Sequence, residues 1–164
     1  MSQLPKLPEF LAAADNKLDI AYQAIVDIQS GQLFGCEALV RNVEALDTRS
    51  PTELLQLAKM LGVSNDLDCI LLQKAVANFP TVEDSNDALL FVNLDRDTIE
   101  LSESIVCQLN SLADDAKLDP EDICIEISER SQNLDLPQFA QRLQCVRDAG
   151  FKLAIDDFGV GHSG

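Results

Sequence analysis

Short apolar runs alternate with amphipathic stretches along most of the chain, and this alternation limits the fold more than any other feature. Residues 18–28 (LDIAYQAIVDI) and 32–41 (QLFGCEALVR) read as strands joined at Gln29-Ser30-Gly31, a turn short enough for an antiparallel hairpin. Three further runs, 88–94 (ALLFVNL), 122–128 (DICIEIS) and 151–156 (FKLAID), also read as strands. The intervals read as helices. Ser50-Pro51-Thr52-Glu53 is a helix start with Ser50 as N-cap, Pro51 in the first turn and Glu53 closing a capping box; this helix stops near Gly62. Ser64 is placed as the cap of the next helix, and Ser102 opens a third through IVCQLNSLA. Residues 137–149 form a fourth, with Phe139, Leu143 and Val146 on one stripe and Gly150 as its stop. Residues 1–17 read as a polar, Pro-marked leader, 80–87 as a polar loop and 158–164 as a Gly-rich ending. Strands separated by helices predict an α/β domain with a largely parallel sheet.

Composition narrows the class further. A chain of 164 residues, 46% of them hydrophobic, is large enough for one domain with its own core. No apolar run approaches the ~20 residues that cross a bilayer, and the N-terminus lacks the basic start and apolar centre of a secretory signal. With 28 acidic and 12 basic side chains the net charge is −16, which argues against DNA or RNA as a partner. A phosphorylated ligand would have to be attracted by something other than bulk charge, and a metal is the natural candidate. The five cysteines (Cys36, Cys69, Cys107, Cys124, Cys145) are odd in number, widely spaced and set in apolar segments. They read as reduced core thiols of a cytoplasmic chain. His162 is the only histidine, which speaks against zinc.

The strand-like runs carry polar residues in a pattern. Period-two geometry puts Glu37, Leu39 and Arg41 on one face of the second run, and Ala38 and Val40 on the other. Asn93 shares a face with Phe91, Glu126 with Ser128, and Asp156 with Ala154 and Lys152; Asp157 follows at the turn. Four strands thus each deliver an oxygen-bearing side chain, the donor type that Mg²⁺ or Mn²⁺ takes. Taken singly, each acid reads as a solvated strand end. Taken together they read as a metal site, and the residues alone leave both readings standing.

Five blocks, in order, resemble the EAL domain family. Glu37-Ala38-Leu39-Val40-Arg41 is similar to its E-A-L-x-R signature, and Phe91-Val92-Asn93-Leu94 to its strand ending in Asn. Glu126-Ile127-Ser128-Glu129 is similar to E-x-[ST]-E, and the run from Asp156 through Ser163 (DDFGVGHS) to D-D-F-G-x-G-Y-S. Tyr22-Gln23-Ala24-Ile25 occupies the place of Y-Q-P-I. The departures are Ala24 for Pro, Asp95 where Ser is common, Lys59 where an acid is common, His162 for Tyr, and the missing Trp after Arg41. None of them removes an acid or amide from the candidate set.

The resemblance implies a modified (β/α)₈ TIM-type barrel, opened by an antiparallel hairpin, that hydrolyses cyclic di-GMP to linear pGpG in bacterial second-messenger signalling. On that footing residues 1–17 are an N-terminal leader and 18–164 an EAL domain. Glu37, Asn93, Glu126 and Asp156 would hold one Mg²⁺ or Mn²⁺ and Asp157 a second, with Glu37, Asp156 and Asp157 closest to the chemistry. Gln23, Leu39 and Arg41 would meet the substrate. Glu129 would steady the loop after Asp157, which also bears on a homodimer interface. Such a barrel takes ~250 residues, so this sequence is expected to cover its first five strands, about two thirds. The later Lys strand and E-G-V-E block would lie beyond Gly164, and the chain alone is expected to turn over little substrate. The competing reading is a non-catalytic EAL module that binds cyclic di-GMP or a protein partner.

Overall fold

A computed structural model describes residues 6–82, 88–101, 105–128 and 136–156. The hairpin forms where Asp27 organises its own turn. Its Oδ1 accepts the backbone N–H groups of Gln29 and Ser30 and the Ser30 hydroxyl, which hold its carboxyl below the usual range. The strands on either side, β1 (Asp19–Val26) and β2 (Leu33–Arg41), pair antiparallel from Asp19 opposite Arg41 to Val26 opposite Leu33. Three parallel strands follow: β3 (Leu89–Asn93), β4 (Ile123–Ser128) and β5 (Lys152–Asp156). The sheet order is sequential, β1-β2-β3-β4-β5.

Alternate strand residues decide where the core lies. Cys36 and Ala38 of β2, Leu90 and Val92 of β3, and Ile123, Ile125 and Ile127 of β4 are buried in one cluster. The same cluster holds Leu72, Ala75 and Val76 of α3 (Ser64–Asn78), Ile105 and Leu109 of α5 (Ile105–Ala116), and Val146 of α6 (Leu136–Asp148). All three helices therefore cover one face of the sheet. Sequential strand order with helices on a single face is the arrangement of a barrel wall; a doubly wound sheet carries helices on both. The expected fold class is borne out. The opposite parity, including Glu37, Asn93 and Glu126, is left on the helix-free face, the one that no helix among the described residues covers.

A second cluster takes in part of the stretch read as a leader. Residues 7–17 form α1 (Leu7–Lys17), whose Phe10 and Ala14 are buried against Leu54 and Ala58 of α2 (Pro51–Leu61) and Leu67 of α3. Phe10 and Ala14 lie one helical turn apart with Leu11 and Ala13 half-buried beside them, an apolar patch of barely two turns between Pro8 and Asp15, too short to show a helical period.

Other boundaries follow local chemistry. Ser50 caps α2 as expected, its Oγ accepting the Glu53 N–H, while the Glu53 carboxylate reaches back to the N–H of Arg49. Gly62 takes φ +72 after α2, so its N–H and that of Val63 satisfy the carbonyls of Lys59 and Ala58. The chain then enters α3 at once from Val63, and Ser64 is the first helical residue instead of the cap. A short helix absent from the sequence reading, α4 (Arg96–Leu101), follows β3; Asp95 starts it by accepting the Asp97 N–H. Arg96 is buried beside Glu100 at 3.2 Å, with its guanidinium 4.4 Å from the centre of the Phe139 ring, tying α4 to α6. All five cysteines are free, but only Cys36 and Cys124 are core thiols; Cys69 is half-buried, and Cys107 and Cys145 are exposed. The last two sit on the solvent faces of amphipathic helices, where an apolar neighbourhood in sequence is not burial in space.

Candidate metal and ligand site

Glu37 and Asn93 come together because β2 and β3 run parallel with Glu37 opposite Phe91, so Asn93 lies one pleat period further on the same face. The Asn93 side-chain amide donates to Glu37 Oε1 across 3.1 Å. Gly35 lets the strands lie this way: a Cβ there would stand 2.5 Å from the Phe91 ring and 2.7 Å from the Leu89 carbonyl oxygen. Glu126, half-buried on β4, is the register partner of Asn93, and Ala154 of β5 is the partner of Glu126. Gln23 lies opposite Glu37 in the hairpin, and Ala21 opposite Leu39.

Beside this group a pocket of about 260 Å³ opens, with Leu39, Arg41, Asn93, Asp68 and Asp95 in its wall. Arg41 is exposed at the end of β2, its Nη1 donating to the Val40 carbonyl at 2.9 Å. The backbone of Asp156 ends β5, while its side chain and the whole of Glu129, Asp157 and His162 lie outside the described residues.

Three of the candidate ligands therefore share one face of neighbouring strands, Glu37 and Asn93 in contact and Glu126 in register. Their oxygens are the hard donors that a divalent cation takes. Among the described residues no group of three His, Cys, Asp or Glu side chains gathers, since Asn93 stands between the two glutamates. The donor set fits a cation in kind; Asp156 and Asp157 are the carboxylates that would complete it.

Asp68 and Thr98 escaped the sequence reading, and Asp95 entered it only as a departure from the EAL pattern. Asp68 Oδ2 accepts the Thr98 hydroxyl at 2.5 Å and the Asp95 N–H at 3.1 Å, and burial raises its carboxyl to about 6. One sequence signal could have exposed it: of the two acids that flank Leu67, Asp68 is the one set directly against the apolar run Cys69-Ile70-Leu71-Leu72.

The sequence profile of EAL domains matches residues 6–164. The chain belongs to the EAL domain family. Among its relatives is a protein named as a probable cyclic di-GMP phosphodiesterase, PdeB of Escherichia coli K12, 28% identical over 160 residues. That alignment takes in 93% of this chain and 30% of PdeB. In the fold comparison, BlrP1 of Klebsiella pneumoniae, solved with calcium and cyclic di-GMP, superposes with a TM-score of 0.78 at 27% identity, covering 100% of this chain and 38% of its own. The same protein solved with manganese and cyclic di-GMP gives 0.77 at 30% identity, covering 91% and 37%. The EAL chain thus spans less than a third of PdeB and well under half of BlrP1. Among the described residues of this EAL domain, no helix is long and apolar enough to cross a membrane.

Proposed function

We propose that this EAL domain binds cyclic di-GMP through divalent cations and serves its hydrolysis to pGpG. The observation that carries the reading is the contact of Asn93 with Glu37, with Glu126 in register beside Asn93, on the helix-free face of a barrel-type sheet. Glu37, Asn93, Glu126 and Asp156 would hold one Mg²⁺ or Mn²⁺, and Asp157 the second. Bound there, the cations would polarise the phosphodiester and lower the pKa of a water at phosphorus.

The remaining roles belong to the protein. The Asn93 amide fixes one Glu37 oxygen, so the carboxylate stays turned toward Asn93 before any ligand arrives. Arg41, exposed in the wall of the pocket, would give two parallel hydrogen bonds to a phosphate in exchange for its Nη1 bond to the Val40 carbonyl. Leu39, in the pocket wall, and Gln23, opposite Glu37 on β1, would offer a guanine an apolar and an amide surface, and Glu129 would support the loop after Asp157. A chain of net charge −16 repels a dinucleotide at long range, so attraction has to come from the cations and from Arg41. Free thiols accord with the reducing cytoplasm.

The test is pGpG formation from cyclic di-GMP in Mn²⁺, assayed in the full polypeptide that the gene encodes. Glu37→Ala should abolish it, whereas Arg41→Ala should chiefly weaken substrate binding. Full activity in Glu37→Ala would refute the assignment.

A further inference from the structure

The turn between β3 and α4 follows directly on Asn93, yet the carboxylate that secures it comes from another part of the chain. Asp68 stands on α3, 6% exposed, and one of its oxygens, Oδ2, accepts both the Asp95 N–H at 3.1 Å and the Thr98 hydroxyl at 2.5 Å. Thr98 is itself fully buried, and its hydroxyl oxygen lies 3.0 Å from Asn65 Oδ1. A hydroxyl has one proton, and the shorter contact assigns it to Asp68. Asp95 in turn starts α4, its carboxylate taking the Asp97 N–H at 2.8 Å and its carbonyl the N–H groups of Thr98 and Ile99. From the other side, the Leu94 N–H is fixed to the Glu126 carbonyl of β4 at 3.0 Å.

We propose that Asp68 is a positioning residue for the candidate site: by holding the Asp95–Thr98 turn it sets where β3 ends, and so where the Asn93 amide meets Glu37. The proposal rests on the functional reading only in treating Asn93 and Glu37 as that site. A surface capping carboxylate would serve α4 alone. Asp68 is different because it reaches from a separate helix, is buried, and lines the same pocket as Leu39, Arg41 and Asn93. The charged groups facing it across that pocket are Asp95 and Arg41; the walls from α2 and β1 are apolar, through Pro51, Leu55 and Ile20. On its own helix Asn65, Asp66 and Cys69 are its neighbours, with Cys69 donating to Gln108 of α5.

Both accepted hydrogen bonds go to one oxygen, which separates hydrogen bonding from packing experimentally. Asp68→Asn can keep an acceptor at that place, whereas Asp68→Leu fills the volume and keeps none. The readout is the Asn93 side-chain amide in ¹H–¹⁵N spectra of the 164-residue chain, assigned by its loss in Asn93→Ala. Asp68→Leu should shift that amide and speed exchange of the Asp95 amide by about tenfold or more, and Asp68→Asn should restore both. In the wild type the Asn93 amide should also titrate with a midpoint near 6, and that titration should vanish in Asp68→Asn. An Asn93 amide unmoved in a folded Asp68→Leu chain would overturn the proposal. If Asp68→Leu does not fold, a component with its midpoint near 6 that persists unchanged in Asp68→Asn would overturn it equally, whereas any step from the Glu37 carboxylate that Asn93 touches is common to both proteins. Broadening of the Asn93 amide by added Mn²⁺ tests the metal reading separately: its absence counts against the proposed function, and the shift comparison still decides the role of Asp68.

Discussion

Asn93, the last residue of β3, donates its side-chain amide to Glu37 Oε1 of β2 across 3.1 Å. The bond engages the amide nitrogen and one lone pair of Glu37 Oε1, so Glu37 Oε2 and Asn93 Oδ1 still carry lone pairs that a cation can take. Removing either partner frees the other to rotate. Glu37→Ala and Asn93→Ala should each weaken Mn²⁺ binding by about tenfold or more, with Glu37→Ala the larger because it also removes a charge. Calorimetric titration with Mn²⁺ checks this, and unchanged affinity in Glu37→Ala would exclude it as a ligand.

Gly35 keeps β2 close to β3. An added methyl would meet the Phe91 ring at 2.5 Å and the Leu89 carbonyl oxygen at 2.7 Å, and the second is backbone that cannot swing aside. Gly35→Ala should therefore destabilise the chain by about 1–3 kcal/mol. Chemical denaturation should show a lower midpoint; an unchanged one would mean the strands can part without cost.

Ser50→Ala removes the acceptor for the Glu53 N–H at the start of α2 and should cost about 1 kcal/mol. Because α2 buries Leu54 and Ala58 with Phe10 and Ala14 of α1, the loss should appear first as faster amide exchange across α1 and α2. Exchange that quickens equally in β4 would contradict this local picture.

Asp68 gives a pH dependence with a defined sign. Burial raises its folded carboxyl to about 6, against about 3.9 in an unfolded chain, so the folded state holds the proton more tightly. Its contribution to stability is fully present below about pH 4 and is lost as the pH rises through about 6. The stability of wild type minus that of Asp68→Asn should fall by on the order of 2 kcal/mol between about pH 4 and 7. Denaturation of both proteins across that range gives the difference directly; a difference that rises with pH would reverse the assigned cause.

Strand positions and the helix-free face were legible because period two is strict: once Cys36, Ala38, Leu90 and Val92 are core, Glu37 and Asn93 must face the other way. The hairpin and the α2 cap were legible from turn and capping residues. The two missed helices were not. The buried stripe of α1 is only Phe10 and Ala14, and α4 is a six-residue helix held by Asp95 at its start and by the distant Asp68. Exposure of Cys107 and Cys145 depended on which helix face met the sheet, a tertiary choice that local apolarity does not encode. The Asp68 anchor belongs to the same class, since its partners lie 27 and 30 residues away.

Under the proposed function, cations held by Glu37 and its neighbours, together with Arg41, draw in a cyclic dinucleotide against the chain's own negative charge. The direct measurement is equilibrium binding of cyclic di-GMP to the 164-residue chain in Mn²⁺, in EDTA, and in Mn²⁺ with Glu37→Ala. Binding that appears in Mn²⁺ and is lost in both other arms is the predicted result. Binding of equal strength in EDTA, or in Glu37→Ala, would contradict it.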